Sequence, residues 1–66
     1  MQIVLNGRRE ELPGPLSVAE LLARKGLEES HVVVEVDGEM VKQETWSEFI
    51  IQGDAQVEIL HFVGGG

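Results

Sequence analysis

Sixty-six residues make one domain with one core, and a chain this short buries only about 60% of the surface its unfolded form exposes. Packing then leaves a net stability of about 3–5 kcal/mol, with little room for an enclosed active site, so a carrier, a binding module or a subunit is favoured over a free-standing enzyme. Twelve acids against five bases give a net charge of −7 and there is no cysteine, which argues against phosphate-backbone binding and excludes disulfides, thiolate-held zinc and thiol nucleophiles.

Met1 to Asn6 reads as a strand with Ile3 and Leu5 on one face and Val4 on the other. Asn6-Gly7 is a strong hairpin signal, because both central residues of a type I′ turn need positive φ. Arg8 to Leu12 is the expected return strand, polar enough for a charged sheet edge. Pro13-Gly14-Pro15 ends the ladder. Leu16 to Gly26 predicts a helix: Ser17 caps it, Glu20 completes a capping box, and Leu16 and Leu21 form a hydrophobic staple. Val18, Leu21 and Leu22 share one face, Arg24 and Lys25 complement the dipole in the last turn, and Gly26 supplies the left-handed end.

Leu27 to Ser30 reads as a loop. Val32 to Val36 predicts a strand with Val32, Val34 and Val36 on one side. Asp37-Gly38 is a second primed turn, after which Glu39 to Val41 pairs back. Thr45-Trp46-Ser47-Glu48 repeats the cap-and-Glu pattern, which predicts a single helical turn burying Trp46, Phe49 and Ile50. Gly53-Asp54 turns again, and Gln56 to Val63 is the last strand. Strands gathered around one good helix predict an α+β domain, a mixed sheet packed on that helix. No apolar run approaches the roughly 20 residues of a membrane span and no signal-like segment starts at Met1, so a cytoplasmic location is the expectation.

In the last strand Val57, Ile59 and His61 share one side, and Glu58, Leu60 and Phe62 the other. A charged residue does not face a helix-covered core unpaired, so Glu58 takes Leu60 and Phe62 outward with it. Glu35 does the same for Val33. Val4, Val33, Leu60 and Phe62 are therefore expected on an outer face, and if their strands are neighbours they make an apolar patch of the kind that marks a partner site. The acidic surface would be steered toward a basic partner, or it serves only to keep a small protein soluble.

His31 and His61 lie thirty residues apart in the sequence, with no motif to make them metal ligands or catalysts. Trp46 reads as core, since the basic stripe that a nucleic-acid stacking platform needs is absent. The glutamates cannot be sorted into an acid and a base without a pocket. Gly7 and Gly14 are not followed by the Lys-Ser/Thr of a phosphate loop.

The sequence closes on Val63-Gly64-Gly65-Gly66. Glycine loses more backbone entropy on ordering than any other residue, so this stretch propagates a strand poorly. It offers a slim rod ending in a carboxylate, roughly 10 Å long when extended, which suits a narrow channel in another protein. A frayed end or an added extension is the other reading of the same residues. The domain is expected over residues 1–63 and a flexible tail over 64–66.

Taken together these residues resemble the ThiS family, the sulfur carriers of thiamine biosynthesis. The likeness runs through Met1-Gln2-Ile3-Val4-Leu5-Asn6-Gly7, the helix start Ser17-Val18-Ala19-Glu20-Leu21-Leu22, Val41-Lys42 followed by Trp46, the turn Gly53-Asp54, and Val57-Glu58-Ile59-Leu60 leading to the glycines. One departure is Lys42, where many members have proline. The resemblance implies a ubiquitin-like β-grasp fold of four to five strands on one main helix. It also implies that the chain is not itself an enzyme. A ThiF-type partner, holding ATP and Mg, is expected to adenylate the Gly66 carboxylate, with Gly64 and Gly65 threading that partner's active site. Sulfur from a cysteine desulfurase would then leave a thiocarboxylate at Gly66, and a ThiG-type thiazole synthase would accept it. On this reading Val4, Val33, Leu60 and Phe62 dock partners, and the chain binds no cofactor, metal, nucleic acid or membrane itself. Two other readings share the features: the small subunit of molybdopterin synthase, with the same terminal chemistry in a usually longer chain, and a ubiquitin-like interaction module with no covalent chemistry.

Overall fold

The computed structural model describes residues 1–27 and 29–62. In chain order the elements are β1 (Gln2–Leu5), β2 (Arg8–Glu11), β3 (Leu16–Ser17), helix α1 (Val18–Lys25), a 3₁₀ turn at Glu29–His31, β4 (Val32–Val36), β5 (Glu39–Val41), a 3₁₀ turn at Gln43–Thr45, β6 (Ile50–Ile51) and β7 (Gln56–His61). Five strands form one sheet in the order β2-β1-β7-β4-β5, and β3 pairs with β6 in a separate ribbon. The β1–β7 pair is parallel and its neighbours are antiparallel, so the sheet is mixed and the last strand fills its middle. This is the β-grasp arrangement, with the charged return strand β2 at one edge.

Both hairpins have their expected cause. Asn6 and Gly7 sit at φ 51° and 82°, and Asp37 and Gly38 at 51° and 86°, the left-handed pair that a primed turn requires. The helix cap also forms as the residues dictate. Ser17 Oγ accepts the Glu20 amide at 3.0 Å, and Glu20 Oε1 accepts the Ser17 amide at 2.7 Å. Gly26 closes the helix at φ 69°. Two further N-terminal amides of the helix, those of Val18 and Ala19, donate to the Phe49 and Trp46 carbonyls at 3.0 Å each. The segment before β6 thereby satisfies helix donors that would otherwise be orphaned.

An eight-residue helix is too short to persist alone; packing holds it. Val18, Leu21 and Leu22 are buried in one cluster with Ile3, Leu12, Val32, Val34, Val36, Val41, Trp46, Ile51, Val57 and Ile59. On the inner side of the sheet edge, Lys25 pairs with Glu10 and ties the helix end to β2. Trp46 donates its indole N–H to the Val41 carbonyl at 2.9 Å, which meets the polar requirement of a buried indole.

The stretch 43–50 departs from expectation. The helical turn comes earlier, at Gln43–Thr45, and the Thr45 hydroxyl donates back to the Lys42 carbonyl at 2.8 Å instead of capping a following turn. Trp46 is buried as expected, but Phe49 and Ile50 are 37% and 45% exposed and Ile51 is buried in their place. The reason is that Ile50–Ile51 forms a strand, paired to Ser17 and Leu16, and strand alternation turns neighbouring side chains to opposite faces. The expected helix likewise gives up Leu16 and Ser17 to β3.

One side chain extends the β1–β7 ladder beyond β1. Asn6, in its left-handed turn, accepts the Ile59 amide on Oδ1 at 2.8 Å and donates Nδ2–H to the Ile59 carbonyl at 3.3 Å. The amide takes the place of a strand residue after β1 has turned away.

Two outcomes follow from this packing. Leu21→Ala is expected to cost about 2–5 kcal/mol, comparable to the whole stability of so small a domain, whereas Ser17→Ala costs about 1 kcal/mol. Urea titration followed by circular dichroism separates them, and a Leu21→Ala protein as stable as Ser17→Ala would contradict the core assignment. Asn6→Gly keeps the positive φ but deletes both amide bonds. It is expected to lose about 1–2 kcal/mol and to speed hydrogen exchange at the Ile59 amide, read by NMR.

Candidate functional site

The candidate site is the outer face of the sheet at the end of β7. Opposing residues fix its layout. On β7, Val57 and Ile59 are buried against the helix side, while Glu58 and Leu60 are exposed on the other, and Phe62 follows just beyond the strand. Leu60 is 63% and Phe62 50% exposed, placed outward with Glu58 as the charge argument requires. Val33 lies directly across from Leu60 and is half-buried. The Phe62 amide donates to the His31 carbonyl at 2.9 Å, so pairing with the β4 side continues past the last strand residue.

Val4 faces the same way but elsewhere. It is aligned with Gln56, four residues before Leu60, or about 13 Å at strand rise. The structure therefore brings Val33, Leu60 and Phe62 together and leaves Val4 out of their patch. β1 and β7 are neighbours as the patch required, but their parallel register sets Val4 beside the start of β7. Around Val4, Gln2, Ile3, Arg9 and Asp54 line a shallow depression of about 210 Å³, below the range of drug-sized ligand pockets. At that end Arg9 donates to Gln2 at 3.0 Å. The Met1 ammonium, hydrogen-bonded to Glu11 at 2.9 Å, and then Gln2 hold the Glu11 carboxyl below the usual carboxylate range.

The face also carries Met40, which the sequence reading did not single out, and a pairing of Glu35 with Glu58 that it did not give. Glu35 stands directly across from Glu58, and Met40, 68% exposed, directly across from Glu35. The signal for Met40 was present, since strand alternation after the Asp37-Gly38 turn sets it opposite Val41, but only the hairpin register shows which residues it joins. His61 is exposed at the end of the inner side. Among the described residues no group of three or more His, Asp or Glu side chains converges to hold a metal ion, and no helix is long and apolar enough to cross a membrane. Gly64, Gly65 and Gly66, and with them the expected boundary after Val63, lie outside the described residues.

Residues 3–66 match the ThiS family. The crystal structure of the thiamine biosynthesis protein ThiS from Geobacter metallireducens is similar over the full length of both chains, at 35% identity and a TM-score of 0.84. An NMR solution structure of a thiamine biosynthesis protein from the same organism is 32% identical with a TM-score of 0.82, over all of this chain and 88% of that one. Two curated relatives are thiazole synthases, from Magnetococcus marinus at 33% identity and Paramagnetospirillum magneticum at 29%; all of this chain matches, but it spans only 20% of each relative's length. With a mixed five-stranded sheet grasping one helix, and a family match over nearly every residue, the chain belongs to the ThiS family.

Proposed function

We propose that this chain carries sulfur for thiazole formation on its C-terminal carboxylate. The observation that carries the reading is the terminal Gly64-Gly65-Gly66, following closely on the central strand of a ThiS-family β-grasp domain. A carboxylate is a poor electrophile until one oxygen becomes a leaving group. In this proposal a ThiF-type enzyme, which holds ATP and Mg, supplies that activation. A Gly66 carboxylate oxygen attacks the α-phosphorus, pyrophosphate leaves and an acyl-adenylate forms. A persulfide derived from a cysteine desulfurase attacks the acyl carbon and AMP leaves. The resulting acyl disulfide is cleaved by a second thiol, which leaves the thiocarboxylate. Gly64 and Gly65 place no Cβ in the channel through which the acyl end must pass.

A ThiG-type thiazole synthase is the proposed acceptor. The two relatives support this, because a stretch matching the whole of this chain occurs within proteins that are thiazole synthases. Carrier and acceptor joined in one polypeptide are expected of partners that meet in every turnover. Val33, Leu60 and Phe62 are the proposed docking residues, with Val4 on a separate part of the same face. Because the carrier must separate after each transfer, its interfaces are expected to be modest in area. The chain itself performs no catalysis in this scheme and works in the cytoplasm alongside these enzymes.

Deleting Gly65 and Gly66 is expected to leave the thermal midpoint unchanged and to abolish sulfur loading by a ThiF-type enzyme with ATP and a persulfide donor, read by intact mass. A truncated chain that still supports thiazole formation would refute the carrier role. Phe62→Asp is expected to weaken partner binding at least about tenfold while changing stability by less than about 0.5 kcal/mol, as an exposed substitution should. Severe unfolding of that variant would mean that Phe62 belongs to the core.

A further inference from the structure

We propose that the outer face between Met40 and Phe62 docks a partner surface that is apolar around one arginine, whose guanidinium sits between Glu35 and Glu58. This rests on the docking role proposed above for the same face and adds what occupies it.

The hydrogen bond from Phe62 to His31, stepped back two residues at a time, makes Leu60 with Val33 and Glu58 with Glu35 hydrogen-bonded pairs of the antiparallel ladder, with Cα atoms roughly 5.5 Å apart. Like charges directly opposite each other on one sheet face destabilise the pair. Among the described residues neither carboxylate has an ion-pair partner: the ion pairs are Met1–Glu11 and Lys25–Glu10, and Lys42, the first residue after β5, takes part in neither.

Their surroundings point outward too. Leu60 and Val33 flank the pair along the strands, Phe62 lies one step further, and Met40 is next across the sheet. A partner that covers these apolar side chains removes water from the carboxylates, which strengthens an ionic contact if the opposite charge arrives with it and penalises docking if it does not. Arginine fits better than lysine, because its planar fork can donate to two acceptors at once. The net charge of −7 steers the same kind of partner from a distance. Charge and apolar contact together therefore commit the face to a basic, apolar protein surface.

The test uses the full chain and a ThiF-type adenylating enzyme without ATP, with Kd measured by calorimetry at low and high sodium chloride. Glu58→Gln is expected to weaken binding at least about tenfold, to flatten the salt dependence, and to leave the thermal midpoint equal to or above that of the unsubstituted chain. Glu48→Gln removes the same charge on the helix side, next to the Phe49 carbonyl that accepts the Val18 amide; it is expected to change Kd less than about twofold. Binding of the Glu58→Gln chain within twofold of the parent, an equal loss in Glu48→Gln, or a lowered thermal midpoint in Glu58→Gln would each overturn the proposal. A chain lacking Gly65 and Gly66 is expected to bind with the same dependence on Glu58. Retained binding without sulfur loading of the full chain would sink the carrier role alone, and loading without Glu58-dependent binding would sink this inference alone.

Discussion

The insertion of β7 between β1 and β4 is the constraint on which the molecule depends. It joins the start of the chain to its end through the parallel β1–β7 pairing and gives β4 its longest partner. Without it the two hairpins, β1–β2 and β4–β5, are separate ribbons of marginal stability. Because β1 pairs with β7 across about fifty positions, Val4 with Gln56 and Leu5 with Val57, it is the kind of non-local pairing that slows folding. The residues that lead to the glycines are thereby rooted in the middle of the sheet and not at a frayed edge.

That placement divides the labour between two faces. The inner side of β7, Val57 and Ile59, packs with Leu21, Leu22 and Val34 in the core. The outer side keeps Leu60 and Phe62 in solvent and sets Glu58 against Glu35. Exposed apolar side chains and facing carboxylates are both costs to a free monomer of so small a domain. Folding alone would favour replacing them, so their presence is most simply understood through what they meet. Asn6 contributes from the first hairpin: its side-chain amide holds the Ile59 backbone where β1 has already turned away, which keeps β7 in register up to Leu60.

Local chemistry made much of this readable from the residues. The Asn6-Gly7 and Asp37-Gly38 turns, the Ser17–Glu20 box and the Gly26 end depend on neighbours within a few positions, and each formed as its sequence requires. Alternation also gave the two sides of β4 and β7, because Glu35 and Glu58 fix which side faces water. Contacts between distant segments were not readable. The β3–β6 ribbon depends on Leu16 meeting Ile51 across thirty-five positions, and it turned Phe49 and Ile50 outward where a helical turn would have buried them. Val4 was placed on the correct face but not beside Leu60, since alternation says nothing about register along a parallel pair. Glu35 against Glu58, and Met40 beside them, likewise emerge only once strands are aligned.

In the proposed role this domain delivers an activated acyl end to enzymes that supply the energy and the sulfur. Intact mass spectrometry of the protein purified from its native host tests it most directly. A fraction of molecules heavier by the difference between one sulfur and one oxygen, with the change confined to Gly66 in fragment spectra, is the predicted result. A carboxyl terminus that carries only oxygen under conditions where the host is making thiazole would contradict it.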